Sequence, residues 1–189
     1  TATVVACEQK DETTWKIVLD RTAFFPEGGG QTGDIGWLND MEVTDTREKS
    51  GVIYHETKAP IEAGTQVAGK IDFTVRYDKM QQHTGEHILS GIVCSTYGYN
   101  NVGFHLSTEI TTLDFDGELS AEQVHELEIK ANEMIYANIP VQVKFPNKKE
   151  LAEMDYRSKI EIEGQVRIVE IPGIDRCACC APHVKMTGE

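Results

Sequence analysis

No stretch of this 189-residue sequence approaches the roughly 18 consecutive apolar residues of a membrane span. Nor does it open on a charged segment running into an apolar one, as a secretion signal would. A cytoplasmic protein with no membrane partner is expected. Basic residues are in short supply: 18 Lys and Arg stand against 31 Asp and Glu, for a net charge of -13. Nonspecific nucleic-acid affinity rests on neutralising phosphates, so this balance excludes an indiscriminate binder. No DNA partner is expected, and any RNA contact must be local and shaped. There is no internal repeat and no low-complexity segment. The five cysteines are an odd number, and three of them (Cys177, Cys179 and Cys180) crowd together. That usage fits reduced thiols or metal ligands better than a disulfide framework. The chain begins at Thr1 within strand-like sequence and without methionine, which suggests a piece of something longer.

What is present falls into two zones, and 40% hydrophobic residues suffice for a real core. Residues 1–72 carry short β-rich runs, ATVVACEQ, TTWKIVLD, GVIYHETK and TQVAGKID, separated by Gly, Asp and Asn turns. That pattern predicts a small barrel or curled sheet. From Phe73 the periodicity becomes helical. Met80, His83, His87, Leu89 and Ile92 recur at helical spacing and Gly98 offers a stop. Ser120 to Gln123 reads as a capping box opening a second helix that Pro140 ends. Strand candidates VGFHLS, TTLDFD, VQVKF and QVRIVEI surround these helices, so the zone 73–189 reads as α+β, and so does the whole.

The chemistry concentrates at two places. In HTGEH, His83 and His87 stand at i and i+4, so on a helix both project from one face toward a common ion. In CACCAPHV, Cys179 and His183 are separated by three residues and would complete the four-coordinate N/S set that zinc favours. Cys177 and Cys180 could compete with Cys179 for that position. Glu86 is the nearest carboxylate, either a base or partner to a histidine, or a solvent-facing helix acid. His105 faces away from Phe104 and Leu106 on its strand, as a pocket residue or an exposed one. His55 and His125 lie in ordinary contexts and are expected at the surface. Lys144, Lys148, Lys149, Arg157 and Lys159 form a local basic stretch, suited to an RNA stem or to solvent.

Taken with the upstream RTAFFPEGGGQTGDIGWL at 21–38, these spacings resemble the editing domain of alanyl-tRNA synthetase and its free-standing AlaX relatives, over nearly the whole chain. The resemblance implies a barrel-like subdomain carrying the GGGQ segment (1–72), then a zinc-binding α/β editing subdomain (73–189) shared with threonyl-tRNA synthetase. It implies Zn2+ held by His83, His87, Cys179 and His183, and hydrolysis of the ester between serine or glycine and the tRNA for alanine. Gly29, Gly30, Gln31 and Thr32, with His105, become candidate substrate contacts, and Glu86 the catalytic candidate. The family often shows Cys-Gly-Gly-Thr-His where this chain has Cys179-Cys180-Ala181-Pro182-His183. Two rivals remain. HTGEH also fits the His-x-x-Glu-His order of an inverted zincin protease, which needs a further acidic ligand. A noncatalytic zinc module that only binds tRNA or a partner protein is the other.

Overall fold

The computed structural model describes residues 1–107, 109–158 and 164–189. The chain separates into two compact units, Thr1–Lys79 and Met80–Glu189. The boundary falls inside helix α1 (Phe73–Tyr97), seven residues beyond the change of periodicity at 72/73. Among the described residues no helix is long and apolar enough to cross a membrane.

The first unit is built on strands β1 (Ala2–Gln9), β2 (Trp15–Leu19), β3 (Gly36–Leu38), β4 (Met41–Lys49), β5 (Val52–Thr57), β6 (Gln66–Val67) and β7 (Gly69–Ile71). They form an antiparallel sheet in the order β6-β1-β2-β5-β4-β3-β7. The two edge strands are separated in the chain by Ala68 alone, so the sheet must curl until its edges nearly meet. Asn39 seals that seam: its side chain accepts from Ala68 N at 2.8 Å and its own N–H donates to Ala68 O at 2.9 Å. Ala2, Val4, Ile17, Phe24, Leu38, Val43 and Val67 fill the interior. β4 escaped the sequence reading because only Val43 and Thr46 of its nine residues are buried, and its charged remainder imitates a loop.

His55 overturns a surface expectation: it is 0% exposed. Its Nδ1 lies 3.0 Å from Ile17 O, its Nε2 lies 2.7 Å from Thr22 Oγ1, and Phe24 meets the ring edge-on. Both ring nitrogens are satisfied, which is what allows a polar ring into a core.

In the glycine-rich segment, Gly28 and Gln31 exchange backbone hydrogen bonds of 3.0 and 3.1 Å. The two residues between them, Gly29 and Gly30, have φ of 62° and 84°, a conformation that only residues without a Cβ adopt readily. Beyond the turn, a Cβ on Gly33 would overlap Thr46 O. Asp34 then binds Arg76, and Lys79 donates to Gly33 O at 2.8 Å, so the first two turns of α1 anchor this loop.

The second unit holds the rest of α1, the hairpin β8 (Asn101–Leu106) and β9 (Thr111–Phe115), helix α2 (Ala121–Tyr136), and a short helix α3 (Lys148–Ala152). A three-stranded antiparallel sheet in the order β10-β11-β12 comprises β10 (Gln142–Lys144), β11 (Ile168–Ile171) and β12 (Asp175–Ala178). α1 ends at Gly98, whose N–H donates to Cys94 O at φ 72°. The capping box on α2 forms as read, with Ser120 and Gln123 bonding each other's backbone N–H. Ile88, Ile92 and Val93 of α1 pack with Leu127 and Ala131 of α2 and Ile171 of β11. Of the other large aliphatic positions of α2, Met134 is half-buried against the same cluster, and Val124, Ile129 and Ile135 are exposed.

Candidate metal centre

Four side chains from two distant stretches converge in the second unit. His83 and His87 come from one face of α1, and Cys179 and His183 from the loop after β12. Their ligating atoms all lie within 4.8 Å of one another. Cys179 Sγ is 3.6 Å from His83 Nε2 and 3.4 Å from His183 Nε2. A tetrahedron with metal–nitrogen bonds of about 2.05 Å and a metal–sulfur bond of about 2.3 Å has nitrogen–sulfur edges of about 3.6 Å. The donor set therefore fits a four-coordinate ion both in chemistry and in spacing.

The loop bearing Cys179 is held by Arg167, whose Nη1 donates to Cys179 O at 2.7 Å and to Ala181 O at 2.9 Å. Of the competing thiols, Cys180 is exposed. Cys177 is buried, which pushes its thiol up to about 12. It groups instead with His87 and Asp175, where Asp175 is already engaged by Arg157.

His87 and His183 are each held at the ring nitrogen that faces away from the cluster. His87 Nδ1 lies 2.8 Å from Asp175 Oδ2, and Arg157 grips the same carboxylate at 2.7 and 2.9 Å. His183 Nδ1 lies 3.0 Å from Thr84 Oγ1. That hydroxyl spends its own proton on Met80 O at 2.8 Å, so it can only accept from His183. Nε2 of both rings is thereby left to face the cluster. His83 packs against the Phe104 ring at 4.8 Å.

The charges are strongly coupled. Burial works against a proton on His87, but hydrogen bonds to Asp175 and Cys179 and the nearby Glu86 outweigh it and raise the ring to about 9. Burial, with positive charge on His87 and His83, holds His183 well below its ordinary value. Burial alone would raise Asp175; the hydrogen bonds from His87 and Arg157 outweigh it and lower the carboxyl.

Glu86 is no solvent-facing acid. It is 4% exposed, with Oε1 accepting from Ser90 Oγ and Asn101 Nδ2 at 2.8 Å each. Its Oε2 lies 3.7 Å from His87 Nε2, on the cluster side of the ring. His105 is exposed, and it is its neighbour Phe104 that faces His83. Gly29, Gly30, Gln31 and Thr32 belong to the first unit; the two glycines are exposed at the turn and Gln31 is buried. Part of the basic stretch is spent within the fold. Lys144 pairs with Glu170, Arg157 with Asp175, and only Lys148 and Lys149 stand exposed on α3; Lys159 lies outside the described residues. His125 is exposed, as expected.

Asp175, Arg157, Thr84, Arg167, Ser90 and Asn101 were not singled out from the sequence as supports of the ligands. Only Thr84 carried a local signal, since it sits between two same-face histidines one position from the first.

Residues 2–75, which make up most of the curled β-sheet unit, match the family described as tRNA synthetases class II (A). The chain is 35% identical to the alanyl-tRNA editing protein AlaX-L of Pyrococcus horikoshii, over 96% of this chain and 47% of that protein. It is 30% identical to the alanyl-tRNA editing protein Aarsd1 of Mus musculus, over 97% of this chain and 48% of that one. It is also 35% identical to an alanine–tRNA ligase of Methanococcus vannielii, over 92% of this chain and 20% of the ligase. The chain spans about half the length of the curated editing proteins it matches. It is a homologue of the alanyl-tRNA editing proteins.

Proposed function

We propose that this chain hydrolyses the ester bond of tRNA for alanine mischarged with serine or glycine, in the cytoplasm, with zinc held by His83, His87, Cys179 and His183. The observation that carries the reading is the convergence of three imidazoles and one thiol, at tetrahedral spacing, in a homologue of editing proteins.

The need for such an enzyme follows from physics. A pocket built for alanine cannot strongly reject an analogue that merely adds a hydroxyl, whereas a separate site that hydrogen-bonds the hydroxyl can discriminate by about 10⁴. Bound in the His3Cys set, zinc would supply Lewis acidity and a charge that orients the ester or a water.

The remaining work falls to the chain. Ser90 and Asn101 hold Glu86 by Oε1 and turn Oε2 toward the cluster, where it is the acceptor for a proton from an attacking water. Phe104 walls one side with an apolar ring, which limits stray water. In the first unit, the exposed N–H groups of Gly29 and Gly30 and the hydroxyl of Thr32 are suited to the tRNA backbone or ribose.

The inverted-zincin alternative needs an acidic third ligand, whereas here a thiol and an imidazole fill the remaining corners and Asp175 addresses the far nitrogen of His87. The test offers the parent protein seryl-tRNA and glycyl-tRNA for alanine, and a peptide mixture, each with and without chelator. Chelator-sensitive deacylation without peptide cleavage supports editing. Peptide cleavage, or zinc binding with no hydrolysis at all, sinks it.

A further inference from the structure

We propose that Asp175, clamped by Arg157, is a positioning residue that locks His87 with its Nε2 lone pair presented to the metal. The inference rests on the metal reading above and assigns a role to two residues outside the ligand set.

The geometry is specific about how the lock works. Asp175 is the first residue of β12, four positions before Cys179, and its side chain is only 2% exposed. Its two oxygens serve three donors. Oδ1 takes Arg157 Nε at 2.7 Å, while Oδ2 takes both Arg157 Nη2 at 2.9 Å and His87 Nδ1 at 2.8 Å. A carboxylate offers only acceptors, so the His87 nitrogen facing it must carry the proton, and the lone pair must sit on the opposite nitrogen.

Arg157 is fixed in its turn by backbone bonds to both sides of Cys177: its N–H donates to Arg176 O at 2.8 Å and its carbonyl accepts from Ala178 N at 2.9 Å. The clamp is thus tied to the strand that leads into Cys179, and one unit of structure sets both a thiol and an imidazole. Hydrogen bonds of this kind beyond the ligands typically govern metal affinity by about 10–100-fold.

This arrangement separates two substitutions at Asp175. Asp175→Ala removes both oxygens, so nothing holds the His87 proton on Nδ1 or fixes the ring. An amide keeps one oxygen, and placed where Oδ2 stands it accepts from both Arg157 Nη2 and His87 Nδ1, giving up only the bond to Arg157 Nε. Asp175→Asn should therefore keep the lock that Asp175→Ala loses.

Zinc affinity of the whole chain, measured by competition against a chromogenic chelator, tests the proposal, with the visible spectrum of Co2+ in the same site reporting ligand geometry. Expected are about a 10–100-fold loss of zinc affinity in Asp175→Ala, affinity nearer the parent's in Asp175→Asn, and a Co2+ spectrum that departs from the parent's in Asp175→Ala and stays closer to it in Asp175→Asn. Glu170→Gln, which breaks the Arg176 and Lys144 pairs on the same sheet, serves as the control and should bind zinc like the parent. If Asp175→Ala binds zinc as tightly as the parent, or if Asp175→Asn binds no more tightly than Asp175→Ala, the positioning role is refuted. A parent chain that binds no zinc removes the metal reading itself, and this inference with it.

Discussion

Two glycines six residues apart on α1 should respond to the same substitution with opposite sign. Gly85 lies within HTGEH, and a Cβ placed on it meets nothing within 4 Å. Gly91 lies where the helix crosses the turn between β11 and β12, and a Cβ there would overlap Ile174 O and stand 2.8 Å from Asp175 Cβ. Alanine in a helix interior is favoured over glycine by about 0.8–1.0 kcal/mol, so Gly85→Ala should stabilise the protein by about that amount. Gly91→Ala gains the same propensity but must force apart a helix and a backbone carbonyl, and overpacking of this kind costs about 1–3 kcal/mol. Because propensity cancels between the two sites, the difference between the variants isolates the clash at about 1–3 kcal/mol. Urea denaturation of the parent and both variants reads that difference directly. The same displacement moves Asp175 away from His87, so Gly91→Ala should also weaken zinc binding. If Gly91→Ala proves as stable as Gly85→Ala, the close approach of α1 to the β11–β12 turn is wrong.

Metal analysis should show marked zinc loss in Cys179→Ala but parent-like content in Cys180→Ala and Cys177→Ala; loss in either of the latter would reassign the thiol ligand. Glu86→Gln, assayed for seryl-tRNA deacylation, should keep zinc and retain measurable activity reduced by about 100-fold, the low end of what a general base contributes, because an ester needs less help than an amide; unchanged turnover would remove the carboxylate from the chemistry. Burial lowers the pKa of His55, more than its bond to Ile17 O raises it. The unfolded chain therefore takes up the proton first, and stability present above about pH 6.5 should be lost as pH falls from there toward the folded value. Thermal midpoints between pH 8 and pH 5 should fall more steeply for the parent than for His55→Gln, and parallel profiles would contradict the buried placement. Replacing Lys148 and Lys149 with Ala should weaken binding of tRNA for alanine and flatten the log–log salt slope by about 0.9 for each phosphate no longer neutralised; an unaltered slope would remove these lysines from the interface.

The amino-acid sequence by itself determined what depends on neighbours within a turn or two. Helix α2 begins at Ser120 because a hydroxyl and an amide three residues on can satisfy each other's backbone donors. α1 stops at Gly98 because that residue takes φ 72° at little cost. His83 and His87 share a face because 3.6 residues make a turn, and Cys179 and His183 lie close enough in the chain for one loop to present both. These are short-range relations, and they appear in the string of letters as spacing.

What tertiary structure alone decided is everything set by a partner far away in the chain. The Asp175 carboxylate finds His87 across 88 residues, and Arg157 leaves the apparent basic stretch to clamp it. Glu86 is drawn inward by Asn101 on β8. His55 sits on an ordinary-looking strand, yet closing the sheet carries it into the core, where Ile17 and Thr22 satisfy both nitrogens. Strand β4 reads as a charged loop until its two neighbours supply the pairing that its composition does not advertise. Burial and hydrogen-bond satisfaction are properties of the closed fold, and no periodicity in the sequence encodes which remote acceptor a buried donor will meet.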